Sequence, residues 1–357
     1  MIIMKTKNFQ VFVFYAIIVI SIFALSSCSE SGTENSGSNG KHLFEVPLGF
    51  PPVIFPEDNP YNPIKAELGR RLFYERRLSK NNLMPSCSHC MKQSHGFSDC
   101  SPVSLGYGRE PETRNTMSLA NVAYRKALFW DGRGKRIEQP AYRSLFLPYI
   151  LNGDTNEIEK KLKADPIYPE LFRRAFGENA EPKAYLIGKA IATFVRTLIS
   201  GNSAYDKYIR GDKKAMNESQ IRGMKLFFSD RTNCSKCHSG FMFTDEKFHN
   251  TAVVTHYFDR GRYYVTNNFS DIGKFITPTL RNVEVNPPYM HNGELHTLEE
   301  VIEHYNRGGK LFINKDTLIR PLDLSYQEKT DLINFLKALT DWEFIKNPKF
   351  AKPLDMK

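Results

Sequence analysis

Apolar residues recur at helical spacing over five stretches of this chain. In Pro182 to Ile199, the positions Leu186, Ile187, Ala190, Ile191, Phe194, Val195 and Leu198 form one stripe, the mark of a core helix. Pro63 to Arg76 opens with Asn62 as N-cap and Pro63 in the first helical position, where a missing N–H is harmless. Asn217 to Ser229, Thr297 to Tyr305 and Tyr326 to Thr340 follow the same pattern. No run alternates convincingly enough to predict a strand. Twenty prolines and twenty-two glycines mark turns in the long connections. The pattern therefore predicts a mainly α fold with long ordered loops around a cofactor-filled core.

The pattern also repeats itself. Gly69-Arg70-Arg71-Leu72-Phe73-Tyr74-Glu75-Arg76-Arg77 precedes Cys87-Ser88-His89-Cys90, and Gly223-Met224-Lys225-Leu226-Phe227-Phe228-Ser229-Asp230-Arg231 precedes Cys234-Ser235-Lys236-Cys237. Phe97-Ser98-Asp99 and Phe243-Thr244-Asp245 follow the two Cys pairs. Thr116 to Val122 then matches Thr277 to Val283, with Gly132 and Glu138 spaced as Gly293 and Glu299 are. Two homologous domains follow, meeting near Gly201 to Asn217.

The first residues set the compartment. Lys5 and Lys7 precede the apolar run Val11 to Leu25, short for a membrane span but suited to a secretory leader. Leu25-Ser26-Ser27-Cys28 has the form of a bacterial lipobox, so residues 1–27 read as a lipoprotein signal peptide and Cys28 as the site of a lipid anchor. An ordinary leader with an incidental cysteine is the alternative. Residues 28–45, rich in Ser, Gly and Asn, read as a flexible tether. The two domains then occupy 46–200 and 201–357. The mature protein is expected outside the cytoplasm, in the periplasm or at the outer membrane. The formal charge of +10 falls to about +8 without the leader's lysines. An exported chain meets little nucleic acid, so that excess suits an acidic electron-transfer partner, an anionic surface or plain solvation.

The chemistry concentrates at Asn233-Cys234-Ser235-Lys236-Cys237-His238. Two thiols three residues apart with an imidazole directly after them form the haem-attachment motif C-x-x-C-H. Each Cys can add to a vinyl group of one porphyrin, and His238 can reach the iron from the proximal side. A disulfide or a zinc ribbon is the competing reading, although zinc needs two more ligands at matching spacing.

Leu68-Gly69-Arg70-Arg71-Leu72-Phe73, Arg114-Asn115-Thr116, Phe129-Trp130-Asp131-Gly132-Arg133, Thr277 to Val283 and Pro288-Tyr289-Met290-His291-Asn292-Gly293 carry a resemblance to the bacterial di-haem cytochrome c peroxidase family. It extends over nearly all of the mature sequence. The resemblance implies two cytochrome c-like haem domains related by internal duplication. It further implies reduction of hydrogen peroxide to water at an N-terminal haem, with a C-terminal haem relaying electrons from a small donor protein. Cys234 and Cys237 would hold haem c, with His238 as proximal ligand. Tyr305 falls where classical members place a Met ligand. His304 and Met290 compete for that role, and Tyr305 as a packed core residue stays open. Trp130 would relay electrons between the haems. Asn115, Asn286 and Pro288 match the family's Ca²⁺ site, with Asn286 in place of the usual Thr.

The N-terminal pair departs from that family. Cys87 and Cys90 are followed by Met91, not His. Three outcomes remain open: haem with Met91 as proximal ligand, haem with His89 or His95 substituting, or no haem. The distal acid falls near Tyr149 and Ile150, and a distal His position is Tyr107, so no catalytic residue is assigned. Cys87, Cys90, His95 and Cys100 also fit the spacing of a zinc knuckle. Without haem, Cys100 could pair with Cys87 or Cys90. The reading is thus a di-haem peroxidase, against a mono-haem electron-transfer cytochrome and a zinc-knuckle binding protein, with a homodimer among the assemblies left open.

Overall fold

The computed structural model describes residues 45–82, 86–256 and 258–356. The leader, Cys28 and nearly all of the tether lie outside these residues. The described residues form one compact unit.

Helix α1 (Pro63–Phe73) starts where the sequence predicts, the Asn62 side chain accepting from the N–H groups of Ile64 and Lys65. Then come α2 (Glu138–Arg143), α3 (Thr155–Lys163), α4 (Tyr168–Phe176), α5 (Ala184–Arg196), α6 (Ala204–Ile209), α7 (Glu218–Phe227), α8 (Cys234–Cys237), α9 (Tyr263–Thr266), α10 (Leu298–Asn306), α11 (Tyr326–Lys337) and α12 (Trp342–Ile345). The fold is mainly α, as expected. Among the described residues the named strands are β1 (Phe248–His249) and β2 (Phe275–Ile276), an antiparallel pair too short to leave an alternation in the sequence. Helices α2, α3 and α6 went unpredicted, α3 burying only Ile158 and Leu162; α4, with its apolar stripe Tyr168, Leu171, Phe172, Ala175 and Phe176, was overlooked.

The duplication is visible in the packing. Helix α1 crosses α5, and α7 crosses α11. At each crossing the repeated glycine admits the partner backbone: a Cβ on Gly69 would overlap the Ala190 carbonyl, and one on Gly223 the Asp331 carbonyl. Asn121 and Asn282, both left-handed with φ near +60°, each donate a backbone N–H to a carbonyl just past the end of the second helix, at Leu198 and Leu339. Two buried cores result, one around Leu68, Phe73, Phe97, Phe172 and Phe194, the other around Phe227, Phe243, Leu332 and Phe335.

The chain ends cross between these halves. Phe344, Ile345 and Phe350 are buried in the first core, beside Phe97. Arg70 and Tyr74 donate to the carbonyls of Ala351 and Phe350 at 2.7 and 2.9 Å. At the other end, Phe50 sets its ring 4.7 Å from that of Phe241 and under Arg281.

Candidate haem sites

Asn233, left-handed at φ 58°, turns the chain into α8 and sets Cys234, Cys237 and His238 on one tight turn. The His238 N–H donates to the Cys234 carbonyl at 2.8 Å. The imidazole Nδ1 lies 3.0 Å from the Phe243 carbonyl. A carbonyl only accepts, so Nδ1 carries the hydrogen and Nε2 keeps a lone pair for a metal. Burial holds the His238 pKa below its usual value, which preserves that neutral form. Burial likewise pushes the Cys234 thiol up.

These side chains line a cavity of about 1750 Å³, part of it open to solvent. Leu280, Leu298, Ile302, Leu332 and Leu336 line it, and so do Tyr305 and Met290. His304 is turned elsewhere, its Nε2 3.0 Å from the Thr251 carbonyl. Two thiols, a neutral imidazole, a phenol and an apolar wall on one cavity fit a covalently held porphyrin.

The cavity reaches the seam between the halves, where Trp130, Asn115, Asn286 and Pro288 line it. The seam is reciprocal. Ile276 donates its N–H to the Trp130 carbonyl at 2.8 Å, and Asn115 donates to the His291 carbonyl at 2.7 Å. These are equivalent positions of the repeat, so the halves meet about a local two-fold. Trp130 is buried, its indole N–H 2.8 Å from the Asn115 carbonyl. Its ring lies 6.5 Å from Phe275 and from His291, which stack on each other at 3.7 Å. Burial pushes the His291 pKa down to about 4 and keeps that ring neutral. The Asn286 Oδ1 is buried without a hydrogen bond, an acceptor suited to a hard cation.

The N-terminal pair stands apart. Cys87, Cys90 and Met91 do not line this cavity; Cys87 and Met91 pack against the first core. Burial first, then Cys90, pushes the Cys87 thiol up to about 12, and burial pushes Cys90 to about 11. Two thiols fit the attachment chemistry, but no imidazole follows them. Tyr107 and Ile150 do meet, the Tyr107 N–H donating to the Ile150 carbonyl at 3.0 Å, and neither supplies a carboxylate. Glu138 is committed elsewhere: Arg196 pairs with it at 2.6 Å and Asn59 donates to it at 3.0 Å.

The zinc-knuckle alternative is corrected by this geometry. Among the described residues, the His, Cys and carboxylate groups close enough to share an ion are Cys237, Asp245 and His249. Cys100 is exposed with Lys92 Nζ 3.3 Å away, His95 pairs with Ser94, and Cys87 packs against the first core, so the four knuckle positions do not converge. Sequence reasoning missed His249. Its Nδ1 is 2.6 Å from Asp316 and its Nε2 2.9 Å from Asp245. The Cys237 sulfur, then Asp316 and Asp245, push its pKa up to about 10. The available signal was the repeated Phe-x-Asp that places Asp245; Asp316 lies too far along the chain to be read.

Duplicated halves, a Cys-x-x-Cys-His pocket and a buried aromatic seam define a c-type haem oxidoreductase. A family model described as di-haem cytochrome c peroxidase matches residues 63–214. The chain is 36% identical to cytochrome-c peroxidase IdrP1 of Pseudomonas sp. (strain SCT), over 88% of this chain and 90% of that one. It is 34% identical to the methylamine utilization protein MauG of Methylorubrum extorquens, over 89% and 90%. A solved MauG-like protein associated with microbial copper homeostasis superimposes with a TM-score of 0.82 at 34% identity, over 87% of this chain and 98% of that one. The chain belongs to the di-haem cytochrome c peroxidase family, oxidoreductases that act on peroxide and carry haem c.

Proposed function

We propose that this chain is an exported peroxidase that reduces hydrogen peroxide to water with electrons from a small donor protein, taken up at the second half. The observation that carries the reading is the shared cavity: Cys234, Cys237, His238, Tyr305 and Trp130 all line it. Haem c, when bound in the second half, supplies a one-electron carrier, and peroxide O–O cleavage belongs to the haem of the first half. Cys234 and Cys237 would hold it by thioether bonds, and His238 and Tyr305 would face its iron. The Phe243 carbonyl fixes which imidazole nitrogen points inward. A phenolate from Tyr305 stabilises ferric iron and lowers the potential relative to a thioether. Trp130, buried at the seam and lining the same cavity as Cys234 and Cys237, is proposed as the relay. Asn115, Asn286 and Pro288 are proposed to hold Ca²⁺, to which the unsatisfied Asn286 Oδ1 contributes. Residues 1–27 would direct export and Cys28 would carry the lipid.

In this reading Cys87, Cys90 and Met91 form the peroxidatic centre. A second reading, a mono-haem electron-transfer protein, is favoured by one observation: Cys87 and Met91 pack against the first core, and Met91 rather than a histidine follows Cys90. Haem per chain by pyridine haemochrome separates the two. A ratio near two with peroxide turnover supports the peroxidase, and a ratio near one without turnover sinks it.

A further inference from the structure

Arg125 brings an unfinished guanidinium to the wall of the second half's cavity, although it belongs to the first half. Its side chain is 6% exposed, and its Nε lies 2.5 Å from Glu246 Oε1. That contact is poorly aligned. Arg125 Nε and Nη2 and Glu246 Oε1 are all buried without a hydrogen bond. Glu246 is also shared, because its Oε2 accepts from the Lys126 N–H at 2.8 Å.

A buried cation with one poorly aligned counter-charge is costly, and a guanidinium fork seeks a planar two-oxygen acceptor. Burial accordingly holds the Arg125 pKa below its usual value. Among the described lining residues the one carboxylate, Asp316, is held by His249 at 2.6 Å. The other guanidinium on the wall, Arg320, donates to the carbonyls of Asp230 and Arg231. Haem, however, brings two carboxylates of its own into any pocket that takes it, and a buried carboxylate needs donors.

We propose that Arg125 binds a carboxylate of the haem attached at Cys234 and Cys237, so that the first half supplies the anionic anchor for the second half's cofactor. The proposal rests on haem attachment at that pair. Arg125 stands five residues before Trp130, and both line the cavity, so the anchor and the relay are carried on one segment. A fixed positive charge beside the porphyrin disfavours the ferric state and holds the potential up. It also keeps the haem carboxylate ionised through the neutral range.

The test uses the full-length haem-loaded protein, with Arg125→Gln and Arg125→Lys compared with the parent. Haem per chain is measured first, then the reduction potential of the second-half haem from pH 5 to 8 by potentiometric titration. Thioether bonds keep the haem count unchanged in both variants. The expected result for Arg125→Gln is a lower potential that becomes pH-dependent over this range, as the released carboxylate titrates. Arg125→Lys, which keeps a cation, gives a smaller drop of the same sign and decides the matter if the Gln variant does not fold. Potentials and pH profiles equal to the parent's, with haem intact, overturn the proposal and leave Arg125 as the partner of Glu246 alone. A parent lacking haem at Cys234 and Cys237 sinks the underlying reading instead.

Discussion

His238 donates through Nδ1 to the Phe243 carbonyl, and that bond decides which nitrogen can serve iron. The C-x-x-C-H spacing announced the imidazole; the bond that orients it joins residues in a turn whose geometry no spacing reveals. Tyr305 was legible only through the family, because a lone tyrosine on a helix is most often packed core. It does line the cavity. Replacing it with Phe removes the phenolate donor while keeping the ring, so the ferric absorption spectrum of the second-half haem is expected to change; an identical spectrum would reject the ligand assignment. Met91 offers the complementary experiment. Met91→His restores an imidazole after Cys90, and imidazole in place of thioether lowers a haem potential. One of two waves in a redox titration should move down and the other stay, whereas two unmoved waves would exclude Met91 as a ligand.

At the scale of elements, the helix crossings were legible as pattern and hidden as contact. The repeated G-x-x-L-F stretch marked Gly69 and Gly223, but why glycine stands there appears only when α5 and α11 lie against them. Gly69→Ala and Gly223→Ala each force the helices apart, with an expected loss of about 2–4 kcal/mol in denaturant unfolding. Loss below about 0.5 kcal/mol would show that the crossings slide at no cost. The second crossing carries a further clasp. Asp331 on α11 accepts from Arg222 at 2.8 and 2.9 Å, from Ser219 at 2.5 Å and from Gln327 at 2.9 Å. Arg222 above all holds its pKa down at about 2, against an ordinary 3.8. A folded pKa below the unfolded one adds stability that is present above 3.8 and lost as pH falls through 3.8 toward 2. Asp331→Asn should therefore cost about 2 kcal/mol near neutrality and flatten the acid limb of a melting-temperature profile. Helices α2 and α3 escaped the sequence because two or three apolar residues make no recognisable stripe, whereas α4 carries a stripe in Tyr168, Leu171, Phe172, Ala175 and Phe176 that the reading passed over.

At the scale of the molecule, the two halves were legible from the repeat, but their exchange of ends was not. Nothing local in Phe344, Ile345 or Phe350 says which core they enter. Their burial is worth about 1.5–3 kcal/mol each, a total comparable to the whole stability of a typical domain. A chain ending at residue 341 should therefore lose its first half selectively. Limited proteolysis should cut the region around α3 and α4, while the absorption of haem attached at Cys234 and Cys237 survives. Equal protease resistance of both halves would show that the tail is dispensable. The crossing also imposes an order of events during synthesis. The residues that complete the first core follow the whole second half in the sequence, so the wall beside Phe97 stays open until Phe344, Ile345 and Phe350 have been made. Cys87, which ends packed against that core, is thus most accessible early and shut in late. Any enzyme that must modify the first Cys pair works against a deadline set by the arrival of residues 344–350; the second pair, on its open cavity, has none.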